Sequence, residues 1–162
     1  MKTTIKTIAY LQMAALFLTG ALPRAVAAET ETPFRGSLQA VETHQVQFPT
    51  LFVEGSGTGN ATQLGAFAVT YHAEVNLVTR VGTGSVEFVA ANGDRVFADV
   101  VGQSTPTGNP DVVAIVEIDT ITGGTGRFAN ATGSFVLERL LDQVTGSTFG
   151  SFDGTIEIQP GN

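Results

Sequence analysis

Between two apolar, strand-like runs lies Ile121-Thr122-Gly123-Gly124-Thr125-Gly126-Arg127-Phe128-Ala129-Asn130-Ala131-Thr132-Gly133, with four glycines in the eleven positions from Gly123 to Gly133. Such a segment demands backbone freedom at fixed places, which glycine alone supplies without a steric cost. It points to a particular barrel architecture. It does not specify a reaction.

The rest of the chain downstream of residue 28 agrees. Short runs rich in Val, Ile, Phe and Thr are punctuated by Gly, Asn and Asp, and no helical periodicity appears. Strands are predicted at Gly36–Glu42, Leu51–Ser56, Gly65–Leu77, Gly84–Ala90, Arg95–Gln103, Val112–Ile121, Ser134–Leu141 and Ser147–Ile158. Asn92-Gly93 favours positive φ at both central positions, so the strands flanking it form a tight hairpin. Gly102 to Pro110 reads as a long surface loop, and Asp142 to Gly146 as a short turn. Gly57-Thr58-Gly59-Asn60-Ala61-Thr62 echoes the Gly/Thr segment downstream and reads as reuse of a favourable turn, or as the trace of a duplicated half. Antiparallel strands joined by short links satisfy their edges best by closing into an eight-stranded barrel. Gly150 and Gly154 inside the last strand permit the bending that a small barrel needs. A two-sheet sandwich uses similar strands and is the alternative.

Residues 1–28 read as a cleaved signal peptide. Lys2 and Lys6 are followed by an uncharged apolar run from Ile8 to Leu22, then by the small residues Ala25-Val26-Ala27-Ala28. The expectation is a secreted or periplasmic protein with one domain over residues 29–162, not inserted in a membrane. Removing Lys2, Lys6 and Arg24 from the eight basic residues leaves five arginines against fifteen acids, a net charge of −10. That balance opposes binding to nucleic acid. There is no Cys in the chain, which excludes thiolate catalysis, thiol redox chemistry and Cys-ligated zinc.

Within the strands, side-chain alternation marks two faces. From Phe67 to Leu77 the odd positions are apolar or aromatic, and from Thr70 onward the even ones are polar. Phe67, Val69 and Tyr71 are therefore candidates to line a lumen and contact a ligand. Val112-Val113-Ala114-Ile115-Val116 is apolar on both faces, a pattern that calls for a second cover such as another subunit. Glu117 and Asp119 share one face of the same strand. A carboxylate in an apolar barrel has a raised pKa and can serve as general acid or base, so Glu117 and Tyr71 are the candidates for catalysis. Arg139 is the candidate partner for one of these acids across the sheet, either inside the barrel, where it could contact a ligand, or in an outer-face salt bridge, and the outer-face salt bridge is favoured. His72 and Glu74 form an i, i+2 pair that reads either as part of a metal site or as a solvated strand face, and the solvated face is favoured. His44 reads as a loop residue beyond a strand end. No metal, calcium, phosphate-cradling or G-x-S-x-G motif is present, and no cofactor is expected.

The segment Gly123–Gly133 resembles the glycine motif of plant dirigent proteins. Together with Ala91-Asn92-Gly93-Asp94 and Ala61-Thr62-Gln63-Leu64-Gly65, it is similar to secreted bacterial proteins related in pattern to the allene oxide cyclase barrel superfamily. The resemblance spans Phe34 to Ile158. It implies an eight-stranded antiparallel barrel with an apolar lumen, often a trimer, that holds a reactive apolar molecule in one conformation. The match lies in turns and glycines, so it carries no lumen residue across. Two functions follow as expectations: binding of a small apolar molecule or a scaffold role without catalysis, or a cyclase- or isomerase-like reaction in the lumen.

Overall fold

The computed structural model describes residues 31–159. Eight strands follow one another: β1 Glu31–Gln47, β2 Thr50–Ala61, β3 Gly65–Asn76, β4 Val81–Ala90, β5 Arg95–Pro106, β6 Val112–Gly124, β7 Thr132–Asp142 and β8 Ser147–Glu157. Each is antiparallel to the next, and β8 returns to pair with β1 over Val41↔Ser147 to Glu31↔Glu157, so the sheet closes into a barrel with no free edge. This is the predicted barrel and excludes the sandwich. The segment read as a signal peptide lies outside the described residues.

Several predicted strands are longer than expected. Strand β1 continues through His44 to Gln47, paired residue for residue with β2. Strand β2 continues through Gly57, Thr58 and Gly59, which were expected to form a turn and instead pair with both β1 and β3. The physical reason is space inside the barrel. A Cβ on Gly55 would collide with the ring of Tyr71, so the small residue there is the complement of a large one opposite. Strand β5 likewise runs to Pro106 into the expected loop. At the Asn92-Gly93 hairpin only Gly93 has positive φ (+89°), and the turn spans four residues closed by Ala90 N–H donating to Asp94 O at 2.9 Å.

Alternation sends one side-chain set inward, and that set differs along the barrel axis. At the end holding the start of β1 and the close of β8, Phe34, Phe67, Phe88, Phe135 and Phe152 meet with ring centroids 5.0–6.4 Å apart, many edge to face. The glycine segment closes this end. Gly126, at φ +56°, opens a single 3-10 turn, Gly126–Phe128, that drops the fully buried Phe128 ring over the aromatic cluster. Arg127 stacks on the outside of that ring at 4.6 Å. The opposite end is left open by the β1–β2, β3–β4, β5–β6 and β7–β8 connections. On the outer wall, Val116, Ile118, Val136 and Phe149 stay 41–62% exposed.

Candidate functional site

The open half encloses a cavity of ≈ 570 Å³. Its walls are apolar, including Val53, Val75, Val100, Val113, Ile115 and Leu141, and its rim carries His44, Arg80, Gln103, Ser104, Asn109 and Gln143. Room exists because inward positions here hold small residues, Ala73, Gly82 and Gly102, where the other half holds rings. A broader depression crosses the outer wall past Gln39, Thr58, Val116 and Phe149, but it is open surface, and of the two titratable residues along it Glu138 faces outward while the Arg139 side chain turns into the barrel.

The floor of the cavity is polar and heavily bonded. Arg139 on β7 points inward and is 9% exposed. Its Nε and Nη2 donate to the two oxygens of Glu117 on β6 at 3.1 and 3.0 Å, a bidentate pair. Its Nη1 donates to Glu42 Oε1 at 2.5 Å and to Thr148 Oγ1 at 3.1 Å. Thr148 in turn donates to Leu140 O at 2.8 Å. Tyr71 OH donates to Glu42 Oε1 at 2.8 Å, and its ring lies 5.5 Å below the guanidinium. Glu42 Oε2 and His44 Nε2 are 3.0 Å apart. One guanidinium thus joins carboxylates from β1 and β6 across the lumen.

The protonation states follow from burial and neighbours. Burial alone would lower the pKa of the Arg139 guanidinium, but Glu117 and Glu42 outweigh it and hold it above its ordinary value. Burial, reinforced by the adjacent Glu42, pushes the Tyr71 phenol well above its ordinary range. Asp119, two residues beyond Glu117 and 1% exposed, is pushed up to about 8 by burial and then by the Glu117 charge, with Arg139 opposing. Its Oδ1 has no hydrogen-bond partner, and it borders a small chamber of ≈ 30 Å³ beneath the floor, shared with Tyr71, Glu117 and Arg139. A chamber of that size accommodates one water molecule.

The sequence candidates divide cleanly. Tyr71, Glu117 and Arg139 are brought together. Arg139 makes its ion pairs inside the barrel, which corrects the outer-face reading, and Glu138 takes the outer face instead. Phe67 and Val69 do not line the cavity. They are packed in the aromatic half, at 4% and 1% exposure, because inward parity places a residue inside without saying at which depth. His44 is a strand residue at the rim, not a loop residue. His72 and Glu74 face outward, with His72 beside Ser85, and among the described residues no group of three or more potential ligands is placed to hold a metal. Glu42 and Thr148 are the members of the floor that sequence reasoning missed. Glu42 occupies an inward position of β1 by parity with Leu38 and Ala40, and that parity was the available signal.

No protein-family model, no curated protein and no solved structure matches this chain.

Proposed function

We propose that the protein is an exported binding barrel that holds a small, mainly apolar molecule in its open half, without chemistry of its own. The observation that carries this reading is the ≈ 570 Å³ cavity with apolar walls, a few polar groups at its base and an open mouth. Ligand sites generally have this composition and size. The barrel form and the glycine segment also support kinship with the allene oxide cyclase and dirigent-like barrels, where a lumen holds an apolar molecule. The exposed outer-wall residues Val116, Ile118, Val136 and Phe149 support association of copies through that wall, and a trimer is what the resemblance implies.

The cyclase- or isomerase-like alternative needs a free acid or base at the cavity floor. Glu117 is held by both of its oxygens on Arg139, and Tyr71 OH is engaged by Glu42 beneath the floor. Those bonds favour a positioned, rigid floor over a proton-transfer group. The test is titration with the neutral fluorophore N-phenyl-1-naphthylamine against wild type and Ala73→Trp, which fills the cavity from its wall. Saturable binding by the wild type, lost in the folded variant, supports the reading. Equal binding by both proteins, or none by either, contradicts it.

A further inference from the structure

Resting on that binding reading, we propose that the cavity selects a lipophilic amine: an apolar body with one cationic, hydrogen-bond-donating head seated on Glu117, in preference to a fatty acid of the same length. The charges on the floor point this way. Glu42 and Glu117 face a single guanidinium, Arg139, which leaves the layer negative, and Asp119 adds a further negative charge whenever it loses its proton. Arg80 at the rim is the one arginine besides Arg139 among the residues lining the cavity, and the other basic side chain there, His44, is taken up by Glu42 at 3.0 Å, away from Glu117.

The hydrogen-bond inventory agrees. A guanidinium has five N–H donors, and four of those of Arg139 are committed to Glu117, Glu42 and Thr148. Glu42 has a 1% exposed side chain and both oxygens engaged. Both carboxylates border the cavity, and Glu117 is the more exposed of the two, its side chain 13% exposed. Each of its oxygens accepts one N–H, so lone pairs remain free to accept from a ligand. The floor therefore presents acceptors and negative charge to whatever enters, with four of the five Arg139 donors already occupied. A carboxylate head placed there meets like charge. Turned around, with its head at Arg80, a fatty acid presses its terminal methyl onto the Glu117 oxygens and strips them of water without replacing the lost bonds. An ammonium head satisfies both the charge and the open acceptors, and its apolar body covers the walls. The net charge of the chain past residue 28 also raises the local concentration of cations at the mouth.

Calorimetric titration with decylamine, decan-1-ol and decanoate, below their micelle concentrations at about 0.15 M salt to screen surface charge, tests this. The expected order is amine, alcohol, decanoate, with the amine binding about tenfold or more tighter than the alcohol, as one charge-assisted hydrogen bond supplies. Glu117→Gln should remove most of that advantage while alcohol binding persists. Glu138→Gln, the same charge change on the outer face of the next strand, should leave it intact. A second readout needs no variant: bound ¹⁵N-labelled decylamine should keep its proton to higher pH than the free amine. Decanoate binding as tightly as decylamine, an amine preference that survives Glu117→Gln, or a bound amine that deprotonates below the free one each overturns the proposal. Alcohol binding in the cavity separates these outcomes from failure of the binding reading itself, in which none of the three probes binds.

Discussion

The two halves of the barrel are built from the same eight strands yet do opposite things with their interior. In the closed half, five phenylalanines and Phe128 meet across the axis and leave no room. In the open half, the same inward positions hold Ala73, Val75, Gly82 and Gly102, and a cavity remains. Between them lies the Glu42–Arg139–Glu117 layer. The contrast teaches that strand pairing closes a barrel, whereas side-chain volume decides which part becomes a core and which a container. The aromatic half supplies the apolar burial that holds the fold, leaving the other half free of that task.

Four substitutions test the division, from the largest effect to the smallest. Phe135→Ala removes a ring that packs on three others, and it should destabilise the protein by about 3–5 kcal/mol in chemical denaturation. A loss under about 1 kcal/mol would mean that the aromatic half does not hold the fold. Asp119→Asn should act in the other direction. The Asp119 carboxyl has its pKa raised from 3.8 to about 8, so between those values the folded state binds more protons than the unfolded chain. Wild-type stability therefore falls as pH rises through that window, and the Asn variant lacks this loss. The two proteins should match near pH 4 and separate up to about pH 8. At pH 9 the variant should be more stable by several kcal/mol. Parallel stability curves would show that Asp119 is ionised or solvated in the folded protein.

Tyr71→Phe deletes the hydrogen bond to Glu42 and leaves a buried carboxylate oxygen with one donor fewer. A cost of about 1–2 kcal/mol is expected from thermal unfolding, with ligand affinity little changed because the phenol lies beneath the floor. A large loss of affinity at unchanged stability would instead place Tyr71 in contact with the ligand. Val75→Ala sharpens the comparison from the other side. Val75 borders an existing cavity, so removing its methyls creates no sealed void, and the cost should stay under about 1 kcal/mol. Equal costs for Val75→Ala and Phe135→Ala would erase the distinction between the halves.

Much of this was legible in the chain. Alternation from Phe67 to Leu77 located the inner face, and the glycine segment marked the turn that seals one end. Tyr71, Glu117 and Arg139 were each recognisable as polar groups on inward or facing positions. What the chain could not display was depth and register. Phe67 and Tyr71 share a face of β3, but one lies in the aromatic half and the other under the floor. The Glu42–Arg139 pair joins residues 97 positions apart, through β8 and the closure of the sheet, which no local pattern reports. The polar run Thr43-His44-Gln45 obscured the end of β1, because rim residues need not be apolar. Gly57 and Gly59 read as a turn because their role is to make room, Gly59 for the Phe67 ring, and that role is visible only once a neighbour's size is known.

The central claim is that the open half, and not the packed half or the outer wall, receives an apolar molecule. Chemical-shift mapping of the labelled protein with N-phenyl-1-naphthylamine addresses it directly. Shifts should concentrate at Val75, Val100, Val113 and Ile115, with the signals of Phe34, Phe88 and Phe135 unmoved. Shifts confined to outer-wall residues such as Val116 and Phe149, or no saturable shift at any cavity residue, would contradict it.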